Sequence, residues 1–187
     1  KPEQPDVPSF NAATVWTVGD STVCSFNDTY YYPRYGWGTQ LEHYFDSSLT
    51  VKNLALSGRS SKSYVQEEQY QTLMQGMKAG DYLFVGFGHN DEKADEGRYT
   101  NPNGNYLTEG SFANSLYVNY VKPAQEKGVT VVLCTPIVRR TATGIWEDSN
   151  LHITSDSGKF EGGNYAEAIR IMGEELDITV VDISTLT

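Results

Sequence analysis

Short β-branched runs alternate with amphipathic helical stretches along this chain, and that alternation restricts its fold more than any other feature. Thr14-Val-Trp-Thr-Val18 closes at Gly19 and reads as a first strand. Residues 37–45 put Leu41, Tyr44 and Phe45 on one face of an expected helix, and residues 49–56 form a second strand. A helix over 64–77 and a third, almost wholly apolar strand over 82–87 follow. After a polar loop come a helix over 112–127, kinked at Pro123 and capped by Gly128, and a fourth strand over 129–134. A helix over 165–176 and a fifth strand over 178–183 complete the series. Strands apolar on both faces, joined through helices, specify a parallel sheet covered on both sides. The expected fold is a three-layer α/β/α sandwich with a five-stranded parallel sheet. The chain stops soon after the fifth strand, where a doubly wound sheet calls for another helix. Without it an apolar area on the order of several hundred Å² would face water, so a C-terminal covering helix is expected to be missing.

Charge and composition narrow the partners. Against 14 Lys and Arg stand 24 Asp and Glu, a net charge of −10 that disfavours nucleic acid and anionic membrane surfaces. No apolar run approaches the ~20 residues that span a bilayer. Residues 1–10, with prolines at positions 2, 5 and 8, read as a linker or boundary segment ahead of a domain over 11–187. Cys24, Cys134 and the dispersed His43, His89 and His152 show no metal-ligand spacing. Gly86-Phe-Gly88 lacks the third glycine of a dinucleotide fingerprint, and no P-loop is present, so no cofactor is implied. A Cys24–Cys134 disulfide is disfavoured because Cys134 lies in an apolar strand run.

In parallel sheets function collects where strands end at their carboxyl side. Three short motifs fall there: Gly19-Asp20-Ser21, Ser57-Gly58-Arg59 and Gly88-His89-Asn90-Asp91. A serine nucleophile needs a sharp turn to present it, a base, and donors aimed at the developing oxyanion. Ser21 fits the first need, and the Gly58 N–H and the Asn90 side-chain amide fit the last. Each motif alone is a common polar turn. The three in order, after successive strands, are not.

Taken together they resemble the SGNH, or GDSL-like, hydrolase superfamily, with Ser21 in its first block, Gly58 in its second and Asn90 in its third. Asn53-Leu-Ala-Leu-Ser-Gly-Arg-Ser-Ser61, Phe87-Gly-His-Asn-Asp91, Tyr35-Gly-Trp-Gly38 and Thr135-Pro136 with Arg139-Arg140 are similar to the rhamnogalacturonan acetylesterase branch. The resemblance implies a flavodoxin-like sheet and a carboxylic ester hydrolase that removes acetyl groups from a secreted enzyme's polysaccharide substrate, rhamnogalacturonan in pectin. It also places His89 near the site without making it the base.

The chain departs from the family in one block. The family carries its base in an Asp-x-x-His motif after the fifth strand, and this sequence has none; Asp182 comes too early. Neither His43 nor His152 is expected to replace it. Three explanations stand: a complementary C-terminal fragment, a truncated chain, or a natural relative without activity. The first two are favoured, since the missing helix and the missing base are one segment. Arg59, Arg139 and Arg140, with Lys62, Lys93 and Arg98, fall in loops on the Ser21 edge and suggest a rim for a uronate carboxylate. Trp146 is the better candidate for stacking on sugar; Tyr30-Tyr31-Tyr32 and Tyr35 could stack too, while Trp37 is expected to begin a core helix. Two alternatives remain: a dead carbohydrate-binding relative, and an esterase acting on another acetylated glycan such as xylan.

Overall fold

The computed structural model describes residues 12–26, 30 and 33–186; the proline-rich start, Tyr31 and Tyr32 lie outside the described residues. Five strands form one parallel sheet: β1 (Thr14–Gly19), β2 (Thr50–Asn53), β3 (Tyr82–Gly86), β4 (Thr130–Cys134) and β5 (Thr179–Val181). Their order is β2-β1-β3-β4-β5, the doubly wound order of flavodoxin-like folds. The chain leaves β1 toward β2 and then returns past it to β3. A crevice therefore opens between the ends of β1 and β3, where ligands bind in such sheets.

Alternation along the strands sorts the two faces. Trp16, Val18, Leu83, Val85, Val131 and Leu133 point into the large core. There they meet α1 (Glu68–Gly76), α2 (Phe112–Leu116), α3 (Lys122–Glu126) and α4 (Tyr165–Leu176) through Leu73, Phe112, Leu116, Ala124, Ile169 and Met172. The opposite face meets the β1–β2 connection: Phe45 packs edge-on against Phe84, with ring centroids 6.4 Å apart.

That connection differs from expectation. In place of a helix over 37–45 stand two 3-10 turns, Trp37–Thr39 and Leu41–Tyr44, and Tyr44 faces solvent. The cause is close approach. A Cβ on Gly36 would sit 2.2 Å from the Val23 carbonyl carbon, so this stretch lies flat on the turn after β1 instead of standing off as a helix. The helix over 64–77 likewise begins as a 3-10 turn, Tyr64–Gln66, and becomes helical only at Glu68. After β5 the chain forms a short helical turn, Ile183–Leu186, where the sequence suggested none.

The Pro123 kink takes a definite form. Between α2 and α3 the helix widens into a π turn at Tyr117–Val121. Proline has no N–H to give the carbonyl four residues back. That carbonyl, on Asn119, accepts instead from the Tyr70 hydroxyl at 3.0 Å. Tyr70 thereby ties α1 to the widened helix.

Asp81 anchors the lower edge of the sheet. Its buried carboxylate accepts from the Thr14 N–H (2.8 Å), the Trp16 indole N–H (2.9 Å) and the Lys78 N–H (3.1 Å). Asp81→Ala would strand these donors away from water, each costing about 1–3 kcal/mol. The variant is expected to lose at least about 3 kcal/mol of stability, measured by urea denaturation; a loss below ~1 kcal/mol would contradict this role.

Candidate active site

Strand register brings the three motifs together. Gly19 pairs with Gly86 across β1 and β3, so the Ser21 turn and the His89-Asn90 loop leave the sheet side by side. On the other flank, Leu54 and Leu56 N–H groups donate to Thr17 and Gly19 carbonyls at 2.8 and 3.0 Å. The β1–β2 pairing thus continues past the end of β2 and delivers Ser57-Gly58 to the same edge. The Ser21 turn closes with Val23 and Cys24 N–H groups donating to the Asp20 carbonyl. Asp20 Oδ1 accepts from both the Thr22 N–H and its hydroxyl.

Both proposed oxyanion donors have a local cause. Gly58 adopts φ +79° with open space where a Cβ would stand, so its backbone conformation, not crowding, calls for glycine. Asn90 is oriented by its neighbour. The Arg98 guanidinium, held by Asp95, donates to Asn90 Oδ1 at 3.2 Å. Since guanidinium can only donate, this contact selects the oxygen and leaves the amide NH₂ to donate elsewhere.

Beneath the loops lies a buried polar hub. Asp91 accepts from the Ser61 N–H and hydroxyl and from the Thr100 hydroxyl. Tyr120 donates to the Ser61 carbonyl at 2.7 Å, and Tyr165 to the carbonyls of Asp91 and Thr100. The loops after β2 and β3 are thereby fastened to each other and to the helices below.

A cleft of about 1060 Å³ opens above Ser21, lined by Thr22, Arg34, Tyr35, Trp37, His89 and Arg140 among others. Trp37 forms part of its wall while packing on Gly86, where a Cβ would come within 2.9 Å of the indole. The basic residues divide into two groups. Arg59 pairs with Glu67, Arg98 with Asp95 and Arg139 with Glu92, while Lys62 donates to the Glu96 carbonyl. Lys93 lies 3.9 Å from Glu92. Arg140 is exposed on the cleft rim with no acidic partner among the described residues. Arg34 also lines the cleft; its position before Tyr35-Gly36-Trp37 was the available signal. Trp146 is half exposed in the following loop and is not among the residues that line the cleft.

No histidine among the described residues bonds the Ser21 hydroxyl. His89 and His152 both direct Nε2 at the Ile137 carbonyl, and His43 ends the turn Leu41–Tyr44. Within the described residues no cluster of three or more His, Cys, Asp or Glu is arranged to hold a metal, and no helix is long and apolar enough to cross a membrane. Cys24 and Cys134 are separate buried thiols.

The chain belongs to the GDSL-like lipase/acylhydrolase family, whose model matches residues 17–187. It is 32% identical over 177 residues to the rhamnogalacturonan acetylesterase RhgT of Bacillus subtilis, covering 92% of this chain and 66% of that one. It is 31% identical over 175 residues to the rhamnogalacturonan acetylesterase of Emericella nidulans, covering 86% and 64%. The crystal structure of Bacillus subtilis YxiM superposes with a TM-score of 0.67 at 26% identity, covering 93% of this chain and 44% of that one. The chain thus spans two thirds or less of the length of these relatives.

Two buried carboxyls stand next to the site. Burial pushes Asp20 up to about 6 against the pull of its Thr22 hydrogen bonds, and Asp91 up to about 7 against those from Ser61. A raised carboxyl stabilises the fold fully below its unfolded value near 3.8, and that contribution is lost as pH rises through the folded value. His89, held low, works in the opposite sense across part of the same window. The clean readout is therefore a difference. Between about pH 4 and 7, Asp20→Asn should gain on the native protein by up to on the order of 3 kcal/mol in urea denaturation. A gap that stays constant with pH would refute the raised carboxyl.

Proposed function

We propose that this protein is a serine carbohydrate esterase that removes acetyl groups from a plant cell-wall polysaccharide, rhamnogalacturonan in pectin, outside the cell. The observation that supports the reading is that strand register brings the loops of Ser21, Gly58 and Asn90 to one sheet edge, where an open cleft lies over Ser21. Ser21 attacks the acetyl carbonyl, and the N–H groups of Ser21 and Gly58 with the Asn90 amide hold the developing oxyanion. The proton acceptor is an imidazole that these 187 residues do not themselves place at Ser21, supplied by a complementary segment. The names of the curated relatives support the substrate class.

A fluorophosphonate label tests the nucleophile directly. With free imidazole supplied as the base, intact mass should show one adduct on the native protein and none on Ser21→Ala. Acetate release from acetylated pectic fragments should rise when free imidazole is added as a base, and Ser21→Ala should abolish the increase. Asn90→Ala should lower that rate by about 10²–10³-fold, the usual effect of one oxyanion donor. Binding of the fragments with neither labelling nor release would instead establish a carbohydrate-binding relative, and release from acetylated xylan alone would move the substrate.

Among the rim arginines, Arg140 is the one to test for uronate recognition, because Arg59 and Arg139 are committed to glutamates. Arg140→Ala should reduce the preference for uronate-bearing over neutral acetylated fragments by about tenfold, the scale of one charge-assisted hydrogen bond. An unchanged preference would remove the charge from the substrate argument.

A further inference from the structure

Beside the cleft lies a charged group that the esterase reading does not use. His89 and His152 each place Nε2 2.8 Å from the carbonyl oxygen of Ile137. A carbonyl accepts and never donates, so both Nε2 atoms carry hydrogen. His152 Nδ1 lies 2.9 Å from Glu92 Oε2, and the other Glu92 oxygen takes the Arg139 guanidinium. A carboxylate facing a guanidinium is ionised and accepts only, so His152 Nδ1 carries hydrogen as well. His152 is then a fully buried imidazolium, balanced by Glu92. Its left-handed backbone, φ 60° at the end of the turn Asp148–Leu151, holds it in place.

His89 stands against this cation. The two imidazole centroids are 4.2 Å apart, and the Arg139 guanidinium donates to the His89 carbonyl at 3.3 Å. A second proton on His89 would set two imidazolium rings in contact beside a guanidinium. Its Nδ1 has no partner among the described residues, and the residue lines the cleft that holds Ser21. The remaining charges near it are Asp20, whose carboxyl faces the His89 backbone N–H, and Lys93, 3.9 Å from Glu92.

We propose that Glu92, His152 and Arg139 form a buried charge clamp that keeps His89 a neutral imidazole of fixed tautomer, with Nε2 protonated and Nδ1 bare. At the cleft wall that bare nitrogen accepts a hydrogen bond from a sugar hydroxyl and orients the substrate over Ser21. The clamp stands on this geometry alone; the substrate role rests on the esterase reading. Burial, then His152, then Arg139 hold the His89 imidazole down at about 3, in accord with the geometry.

Nitrogen-15 NMR of the imidazoles in the 187-residue protein tests the clamp without any substrate. Between about pH 5 and 7, His89 should show one protonated nitrogen, Nε2, and His152 two. A bare nitrogen on His152 at pH 6, or His89 titrating near its free value of ~6.5, would overturn the proposal. His152→Asn removes the cation that faces His89, and the His89 titration should then rise by roughly one pH unit or more. An unmoved His89 refutes the coupling, and should that variant not fold, the native tautomers still decide. For the substrate role, His89→Ala in a Ser21→Ala background should bind acetylated pectic fragments about tenfold more weakly by calorimetry. Equal binding would overturn it. Failure of fluorophosphonate labelling at Ser21 would sink the esterase reading while leaving the histidine tautomers as measured.

Discussion

Strand β1, hydrogen-bonded on both flanks, is the constraint on which the site depends. Its pairing with β3 sets Gly19 against Gly86, and its pairing with the β2 segment runs on through Leu54 and Leu56. These two ladders decide that residues far apart in the chain emerge at one edge. A slip of one residue would send the inward side chains of a strand to the other face and displace its loop. Trp16 and Val18, buried among the helices, resist such a slip on β1, as Leu83 and Val85 do on β3. The positions of the catalytic candidates are therefore consequences of core packing more than of anything local to the loops.

Much of this was legible in residue order. The β-branched runs marked each strand to within a few residues, and the helix over 165–176 matches α4 (Tyr165–Leu176). Three short motifs put Ser21, Gly58 and Asn90 forward as candidates, and the strand register brings those motifs to one sheet edge. What escaped depended on atoms that periodicity does not see. The flat 3-10 course of residues 37–44 comes from the close approach of Gly36 to Val23, a contact between segments. The widening before Pro123 was foreseen as a kink, but its form rests on a hydroxyl from Tyr70 in another helix. His152, which the sequence does not put forward as the base, is buried, because Glu92 and the Ile137 carbonyl satisfy both its nitrogens. Nothing in spacing reveals a pairing between positions 92 and 152.

Charge shows the same division. The excess of acidic residues disfavoured nucleic acid and anionic membranes, while the basic loops suggested a local rim for a uronate carboxylate. Side-chain geometry shows that most of those cations are spoken for: Arg59 and Arg98 pair with nearby carboxylates in the chain, and Arg139 reaches across to Glu92 in the loop after β3. The more exposed pairs, Arg59–Glu67 and Arg98–Asp95, contribute little stability, yet they consume the donors that a ligand would need. Counting arginines near a site thus overstates its positive field; at the cleft rim Arg140 has no acidic partner among the described residues.

The two cysteines carry a practical consequence. Cys24 sits under the Ser21 turn and Cys134 at the end of β4, each buried; burial raises their thiols to about 11 and about 12. Thiolate, the reactive form, is then scarce at any ordinary pH. Folding of this domain has no cross-link to select, and its sulfur chemistry is silent toward mild oxidants and alkylating reagents while the fold holds. Thiol reactivity in this protein is consequently a reporter of opening, giving a chemical clock for how often the floor beneath Ser21 comes apart.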